Sequence, residues 1–227
     1  MSGRLVLLLL GALAGCSGLQ ETEGGVVQLD VTVPGPDSVE VGESIQLSAK
    51  PLDKNGDSVG TPVTWLSADA TATIDATGLL TGISPGAARV QAGVGSLNSE
   101  LITFAVVAPA DTLVLPGDSV LTVPAGTGTS SDMVTRLDSF NPPGALPGRR
   151  VIYAITSPDP AAAPPAVVFS TGAVADTLTT GADGTAAAVL TVIGAPPDTV
   201  IVEARATRTR GAVVPGSGQR FIVLFQH

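Results

Sequence analysis

The chain has 227 residues, of which 44% are hydrophobic, and its formal net charge at pH 7 is −9. A single cysteine and a single histidine exclude a disulfide scaffold and a zinc site built from His and Cys. The acidic balance argues against nucleic-acid binding, because phosphate recognition needs clustered Lys and Arg. With 27 Gly and 18 Pro the chain is a poor helical bundle, and its apolar content is too high for disorder. The length allows one or two folded domains.

The first fifteen residues have the pattern of a secretory signal peptide. Arg4 supplies the positive charge, and the apolar run that begins at Leu5 is about ten residues long. A transmembrane helix needs about 20 apolar residues, so this run is too short to span a membrane. Residues 1–15 are therefore predicted to be a cleaved signal peptide.

A four-residue motif closes this segment. It consists of Leu13, Ala14, Gly15 and Cys16. The motif resembles the lipobox of bacterial lipoproteins, which implies cleavage before Cys16 and lipidation of its thiol. Two or three acyl chains would anchor the protein stably in a membrane. Because Ser17 rather than Asp follows the cysteine, the resemblance favours the outer membrane over the inner one. An ordinary signal peptide with an incidental cysteine is the alternative.

From Val26 onward the chain alternates apolar and polar residues in short runs that Gly, Pro, Asn and Asp interrupt. One face of such a run holds Ile45, Leu47 and Ala49. A period of two over short runs predicts half-buried strands, and their spacing predicts sandwiches. We expect an all-β protein with a flexible tether at 16–25 and two β-sandwich domains at 26–107 and 108–227.

The first predicted domain resembles the bacterial Ig-like domains of group 2. Five segments match in order, and they are 39–49, 53–56, 63–67, 74–82 and 85–88. The third contains Trp65, which we expect to face inward and to fill the centre of the sandwich. Gly78, Gly82 and Gly86 fall where the chain is expected to reverse.

The second predicted domain resembles the invasin- and intimin-type Ig-like domains of group 1. The matching segments are 137–143, 148–155, 180–186, 190–192 and 200–204. The sequence departs from that family in two places, because a glycine is missing before Asn141 and residues 144–147 look inserted. Residues 158–165 are proline-rich and are expected to form an exposed loop.

No set of residues points to catalysis. His227 is the last residue, so a Ser–His or Cys–His pair would depend on a chain terminus. Asp53, Asn55 and Asp57 resemble half of a calcium loop, but Thr64 stands where its closing Glu would be. We favour a turn there, since Asn-Gly is a strong turn signal. We expect no enzyme activity, no cofactor and no metal site.

The charges are unequally distributed. Residues 21–107 hold eleven acidic and three basic residues, whereas 108–227 hold nine and seven. The basic clusters consist of Arg149, Arg150, Arg205, Arg208 and Arg210. A solvated sheet edge is the favoured interpretation. The alternatives are a contact with an anionic polysaccharide or with the acidic first domain.

Together these features predict a non-catalytic, lipid-anchored protein of the cell envelope. We expect adhesion, spacing or protein–protein interaction through the Ig-like domains, and no nucleic-acid partner. Expected partners are the membrane itself and other envelope proteins or surface polysaccharide. Carbohydrate binding and a place in a larger surface assembly are the alternatives. Sugar sites usually contain aromatic residues, and the chain has only seven, which argues against carbohydrate binding.

Overall fold

The computed structural model describes residues 25–161 and 164–227. This part of the chain forms twenty-one β-strands and no α-helix. Within it, no helix is long and apolar enough to cross a membrane. The all-β prediction is confirmed, while the signal peptide, the lipobox and most of the tether lie outside the described residues.

Strands β1–β10, termed the N-terminal half, form three sheets. Their bounds are β1 (Gln28–Thr32), β2 (Ser38–Glu40), β3 (Ser44–Gln46), β4 (Ser48–Leu52), β5 (Thr64–Ser67), β6 (Ala72–Ile74), β7 (Leu79–Gly82), β8 (Gly86–Val94), β9 (Leu97–Asn98) and β10 (Ile102–Val107). One sheet has the order β2-β10-β8-β5, with β9 also paired to β8. The others are β3-β7-β6 and the pair β1-β4.

The core of the N-terminal half follows the predicted alternation. Ile45 and Leu47 are buried while Gln46 between them is exposed, as the period of two requires. Phe104 is fully buried in this cluster. Trp65 is only half-buried, because β5 is the outermost strand of its sheet. The expectation that Trp65 fills the centre is therefore wrong; the indole packs against the cluster from its side.

Gly78 is required by both its backbone and its neighbours. Its φ of +86° lies in the left-handed region that glycine tolerates best. A Cβ there would stand 2.6 Å from the carbonyl oxygen of Leu47 and 2.9 Å from Nε1 of Trp65. Gly82, in contrast, has no positive φ; a Cβ there would meet the Glu40 carbonyl oxygen at 2.8 Å. The predicted reversal applies to Gly78, and close packing explains Gly82.

Strands β11–β21, termed the C-terminal half, form three further sheets. Their bounds are β11 (Thr112–Val114), β12 (Val120–Val123), β13 (Met133–Phe140), β14 (Pro143–Ala145), β15 (Arg150–Ser157), β16 (Val167–Phe169), β17 (Ala175–Thr179), β18 (Thr185–Ala188), β19 (Leu190–Val192), β20 (Thr199–Ala206) and β21 (Gln219–Phe225). The largest sheet has the order β12-β21-β20-β15-β17. It faces β11-β13-β14, with β18 also on β13, across a shared core.

Tyr153 lies in the core of the C-terminal half with its hydroxyl satisfied. The side chain is fully buried, and its ring lies 6.3 Å from that of Phe221. The hydroxyl donates to the carbonyl oxygen of Ala186 at 2.7 Å and lies 2.7 Å from Oγ1 of Thr135. Burial raises the pKa of this phenol to about 12, although the Thr135 contact opposes the shift.

The two halves have separate cores and separate sheets. One hydrophobic cluster lies within residues 39–106 and the other within 110–225. Among the strands that the structure describes, none of β1–β10 pairs with any of β11–β21. The chain passes between them through 108–111, a segment of four residues.

Candidate functional site

The junction between the halves contains a buried carboxylate. Glu40 ends β2, which runs parallel to β10 and places Glu40 opposite Val107, the last residue of β10. Its side chain has no exposed surface. A buried charge is costly unless it is paired and hydrogen-bonded, so the partners of Glu40 decide what this position does.

One carboxylate oxygen of Glu40 is bound by two residues of the C-terminal half. Oε1 accepts from a guanidinium nitrogen of Arg149 at 3.0 Å. It also accepts from the backbone N–H of Thr209 at 3.1 Å and from its hydroxyl at 3.2 Å. That hydroxyl in turn accepts from Arg149 at 2.9 Å, so the three groups close a ring of hydrogen bonds.

The other oxygen holds the connecting segment. Oε2 of Glu40 accepts from the backbone N–H of Ala110 at 2.9 Å and lies 3.8 Å from Nε of Arg208. Arg208 also pairs with Asp111 at 3.0 Å. Arg149 donates to the carbonyl oxygen of Ala108 as well. Residues 108–111, which connect the halves, are therefore bound by Glu40 of the N-terminal half and by Arg149 and Arg208 of the C-terminal half.

A tight turn after β20 delivers two of these contacts. Gly211 has a φ of +90°, and its N–H donates to the carbonyl oxygen of Arg208, which closes the turn. The turn points Thr209 at Glu40. The next residue, Arg210, donates to the carbonyl oxygens of Pro34 and Pro36 at 2.6 Å and 3.3 Å. The turn thus contacts two separate segments of the N-terminal half.

This arrangement fixes the two halves relative to one another. Both oxygens of the Glu40 carboxylate are contacted, by two arginines, a hydroxyl and two backbone N–H groups. These contacts can all form together in only one relative position of the two halves. Within the described residues, no buried side-chain nitrogen or oxygen lacks a hydrogen-bond partner. We call this set of residues — Glu40, Ala110, Arg149, Arg208 and Thr209 — the Glu40 junction.

The arginines predicted from the sequence divide into two groups. Arg149, Arg208 and Arg210 contact the N-terminal half directly. For these three, the interpretation as a solvated sheet edge is wrong, and the contact with the acidic first domain is what the structure shows. Arg150 and Arg205 are exposed on the outer face of the large C-terminal sheet. No sequence pattern predicted a role for Glu40.

The turn at Asp53, Asn55 and Asp57 uses its carboxylate internally. Oδ1 of Asp53 accepts from the N–H of Asn55 at 2.8 Å and of Asp57 at 2.9 Å. The Asp57 N–H, followed by that of Asn55, lowers the pKa of Asp53. Among residues 25–161 and 164–227, no group of three or more His, Cys, Asp or Glu could hold a metal ion. The carboxylate thus stabilises the predicted turn.

The remaining predicted site is the lipobox. Leu13, Ala14, Gly15 and Cys16 all lie outside the described residues. Their role stays a prediction.

Comparison with known proteins assigns the N-terminal half. Two sandwiches without a helix define the class as an Ig-like β-sandwich protein. Residues 29–104 match the family described as bacterial Ig-like domain (group 2). The N-terminal half is therefore a bacterial Ig-like domain of group 2, as its motifs predicted. No curated protein matches the sequence.

Solved structures similar to the chain include an adhesin, an intimin domain and fibronectin(III)-like modules. The adhesin InvE of Yersinia pseudotuberculosis is 17% identical over 88% of this chain, with a TM-score of 0.35; the chain spans 59% of that adhesin. The D00-D0 domain of intimin is 15% identical over 88% of this chain and 100% of its own, with a TM-score of 0.31. The fibronectin(III)-like modules of CbhA from Clostridium thermocellum are 16% identical over 88% and 94%, with a TM-score of 0.39.

Proposed function

We propose that this chain is a non-catalytic, lipid-anchored protein of the bacterial cell envelope that acts in adhesion, spacing or protein–protein interaction. In this proposal Cys16 carries the lipid and residues 16–25 form a tether. Residues 26–107 and 108–227 are two Ig-like domains, the second of the invasin type. The outer membrane is the proposed location.

The observation that supports this proposal most directly is the Glu40 junction. A spacer needs its domains to hold a fixed relative position, since a flexible linker of four residues would let them swing. Here four hydrogen-bond donors, one of them the guanidinium of the buried ion pair, hold the connection, and a second guanidinium lies 3.8 Å away. Two domains joined in this way act as a rigid spacer. The C-terminal half, and any partner bound to it, is then held at a fixed distance from the lipid anchor.

The aromatic residues weaken the carbohydrate-binding alternative. Sugar sites usually present an exposed aromatic ring face. Tyr153 is fully buried and Trp65 packs against the N-terminal core, so both rings serve packing, and Phe140 is a single exposed ring at 65%. We therefore retain protein–protein interaction as the proposed mode of action.

The test replaces Cys16 with Ala in the native host. The parent protein is expected to fractionate with membranes and to have the mass of an acylated chain that begins at residue 16. Cys16→Ala is expected to lose both properties, whereas the matched control Ser17→Ala keeps them. A Cys16→Ala protein that remains in the membrane fraction with its neighbours unchanged in proximity labelling would contradict the proposal.

A further inference from the structure

A cleft between the two halves lies beside the Glu40 junction, and its volume is about 450 Å³. The polar residues that line it come from both halves, and they are Ser38, Arg149, Arg150, Thr207, Arg208 and Thr209. Among the described residues, no aspartate or glutamate lines this cleft, so every charge on its wall is positive. A concave site with convergent cationic groups favours an anionic ligand. We call this site the arginine cleft.

The Glu40 junction uses only some of the hydrogen-bond donors of Arg149. A guanidinium has five N–H donors. Three of those in Arg149 have acceptors, which are Glu40, the hydroxyl of Thr209 and the carbonyl oxygen of Ala108. The N–H of Nε and one N–H of Nη2 have no acceptor in the part of the chain that the structure describes. Arg149 is therefore held in place by the junction and still has donors for a ligand.

The other two arginines of the cleft also have donors without an acceptor. Arg208 donates from Nη2 to Asp111, but its Nη1 has no acceptor among residues 25–161 and 164–227. Arg150 is exposed, and its guanidinium has neither a hydrogen bond nor an ion pair within those ranges. Strand register pairs the residue after Arg150 with Ala206, which places Arg150 beside Thr207 on the wall of the cleft.

The charge of the cleft is opposite to that of the whole chain. Glu40 and Asp111 pair with two of its three arginines, and the charge of Arg150 remains uncompensated. Asp37, which precedes Ser38, is exposed and does not line the cleft. The formal net charge of the chain is −9. An acidic polymer is therefore repelled by the chain as a whole and attracted to this cleft.

We propose that the arginine cleft binds a carboxylate-bearing sugar of an anionic polysaccharide. The planar guanidinium presents parallel N–H donors that match the two oxygens of a carboxylate. The hydroxyls of Ser38 and Thr207 have no hydrogen-bond partner among the described residues, and a hydroxyl can both donate to and accept from a sugar hydroxyl. An acidic peptide side chain offers carboxylates without hydroxyls, so this lining favours the sugar.

Recognition through charge needs no aromatic platform, so the scarcity of exposed aromatic rings does not oppose this binding. The site goes beyond the proposed protein–protein interaction and does not depend on the proposed lipid anchor. It does depend on the Glu40 junction, because Ser38 belongs to one half and the three arginines belong to the other. Glu40→Ala is therefore expected to weaken ligand binding as well as the coupling of the halves.

The test measures binding of an oligogalacturonate by isothermal titration calorimetry. It uses the chain from residue 16 carrying Cys16→Ser, which contains every described residue. The parent is expected to bind at low ionic strength, and Arg150→Ala to bind about tenfold more weakly. Arg220→Ala is the matched control, because it removes an exposed arginine of the same half that does not line the cleft, and its affinity should stay within about twofold of the parent. Absence of binding by the parent, or equal affinities of the two variants, overturns the proposal.

Two further measurements test the contribution of both halves and the class of ligand. Ser38→Ala, in the N-terminal half, should weaken binding about threefold, and an unchanged affinity would overturn a site shared by the halves. A neutral dextran oligosaccharide and an oligoglutamate of the same charge should both bind more weakly than the oligogalacturonate. Equal binding of the dextran overturns recognition by charge, and equal binding of the oligoglutamate assigns the cleft to an acidic protein instead. The near-UV circular dichroism of Tyr153 confirms that each variant is folded.

Discussion

Replacing Glu40 with Ala removes the carboxylate that all the other residues of the Glu40 junction contact. Arg149, Thr209 and Ala110 lose their hydrogen bonds to it, and Arg208 loses a neighbouring charge. Breaking a buried ion pair from one side costs about 3–5 kcal/mol, because the other charge stays unpaired. The side chains of Arg149 and Arg208 retain 19% and 23% exposure, so water reaches them. We therefore expect a loss at the lower end, about 3 kcal/mol.

Each half contains one intrinsic probe for this experiment. Trp65 is the only tryptophan and lies in the N-terminal half; Tyr153 is the only tyrosine and lies in the C-terminal half. In the parent, urea unfolding followed by tryptophan fluorescence and by tyrosine near-UV circular dichroism is expected to coincide. In Glu40→Ala the two transitions should separate, and the earlier midpoint should fall by roughly 1–2 M urea at an m-value of about 2 kcal/mol/M.

Glu100→Ala is the matched control, because Glu100 is an exposed glutamate of the same half. Its effect should stay within about 0.5 kcal/mol. If Glu40→Ala shifts neither transition more than this control, the junction does not couple the halves and the reasoning is refuted.

Three other predictions concern each half by itself. Absorbance at 295 nm should show Tyr153 ionising with a midpoint near pH 12 in the folded protein but near pH 10 in urea; its contribution to stability is then present below about pH 10 and lost as the pH rises to 12, and equal midpoints would contradict its burial. The ion pair with Arg89 lowers the pKa of Asp69 to about 2, so its contribution is present above about pH 4 and lost as the pH falls towards 2; thermal unfolding of Asp69→Asn should lack that acid-dependent part, and an unchanged pH profile would argue against the pair. Gly78→Ala should lose at least about 2 kcal/mol in chemical unfolding, whereas Gly56→Ala, with φ of +83° and no atom within 4 Å, should lose about 1 kcal/mol; equal losses would argue against the steric clash.

The strands were predictable because they follow from local chemistry. Ile45 and Leu47 alternate with polar neighbours, and that pattern alone decides which face is buried. Trp65 shows where such reasoning stops. Its inward direction was predictable, but its place on an outermost strand depends on pairings between distant segments, and so does the central position of Phe104.

The Glu40 junction depends on contacts that no short sequence pattern contains. Glu40 is separated from Arg149 by 109 residues and from Thr209 by 169. In the sequence it stands in an ordinary run with Val39 and Val41, and nothing local marks it as buried. The available signal was the contrast between an acidic first half and the arginines of the second, which we interpreted as a solvated edge.

The most direct test of the rigid junction is a distance measurement between the halves. Spin labels at Ser48→Cys on β4 and Ala187→Cys on β18, both exposed positions, can be introduced into the Cys16→Ser chain. Double electron–electron resonance, with excess unlabelled chain so that only intramolecular pairs contribute, should give one narrow distance distribution. Glu40→Ala should broaden it. A broad distribution in the parent, unchanged by Glu40→Ala, would contradict the account.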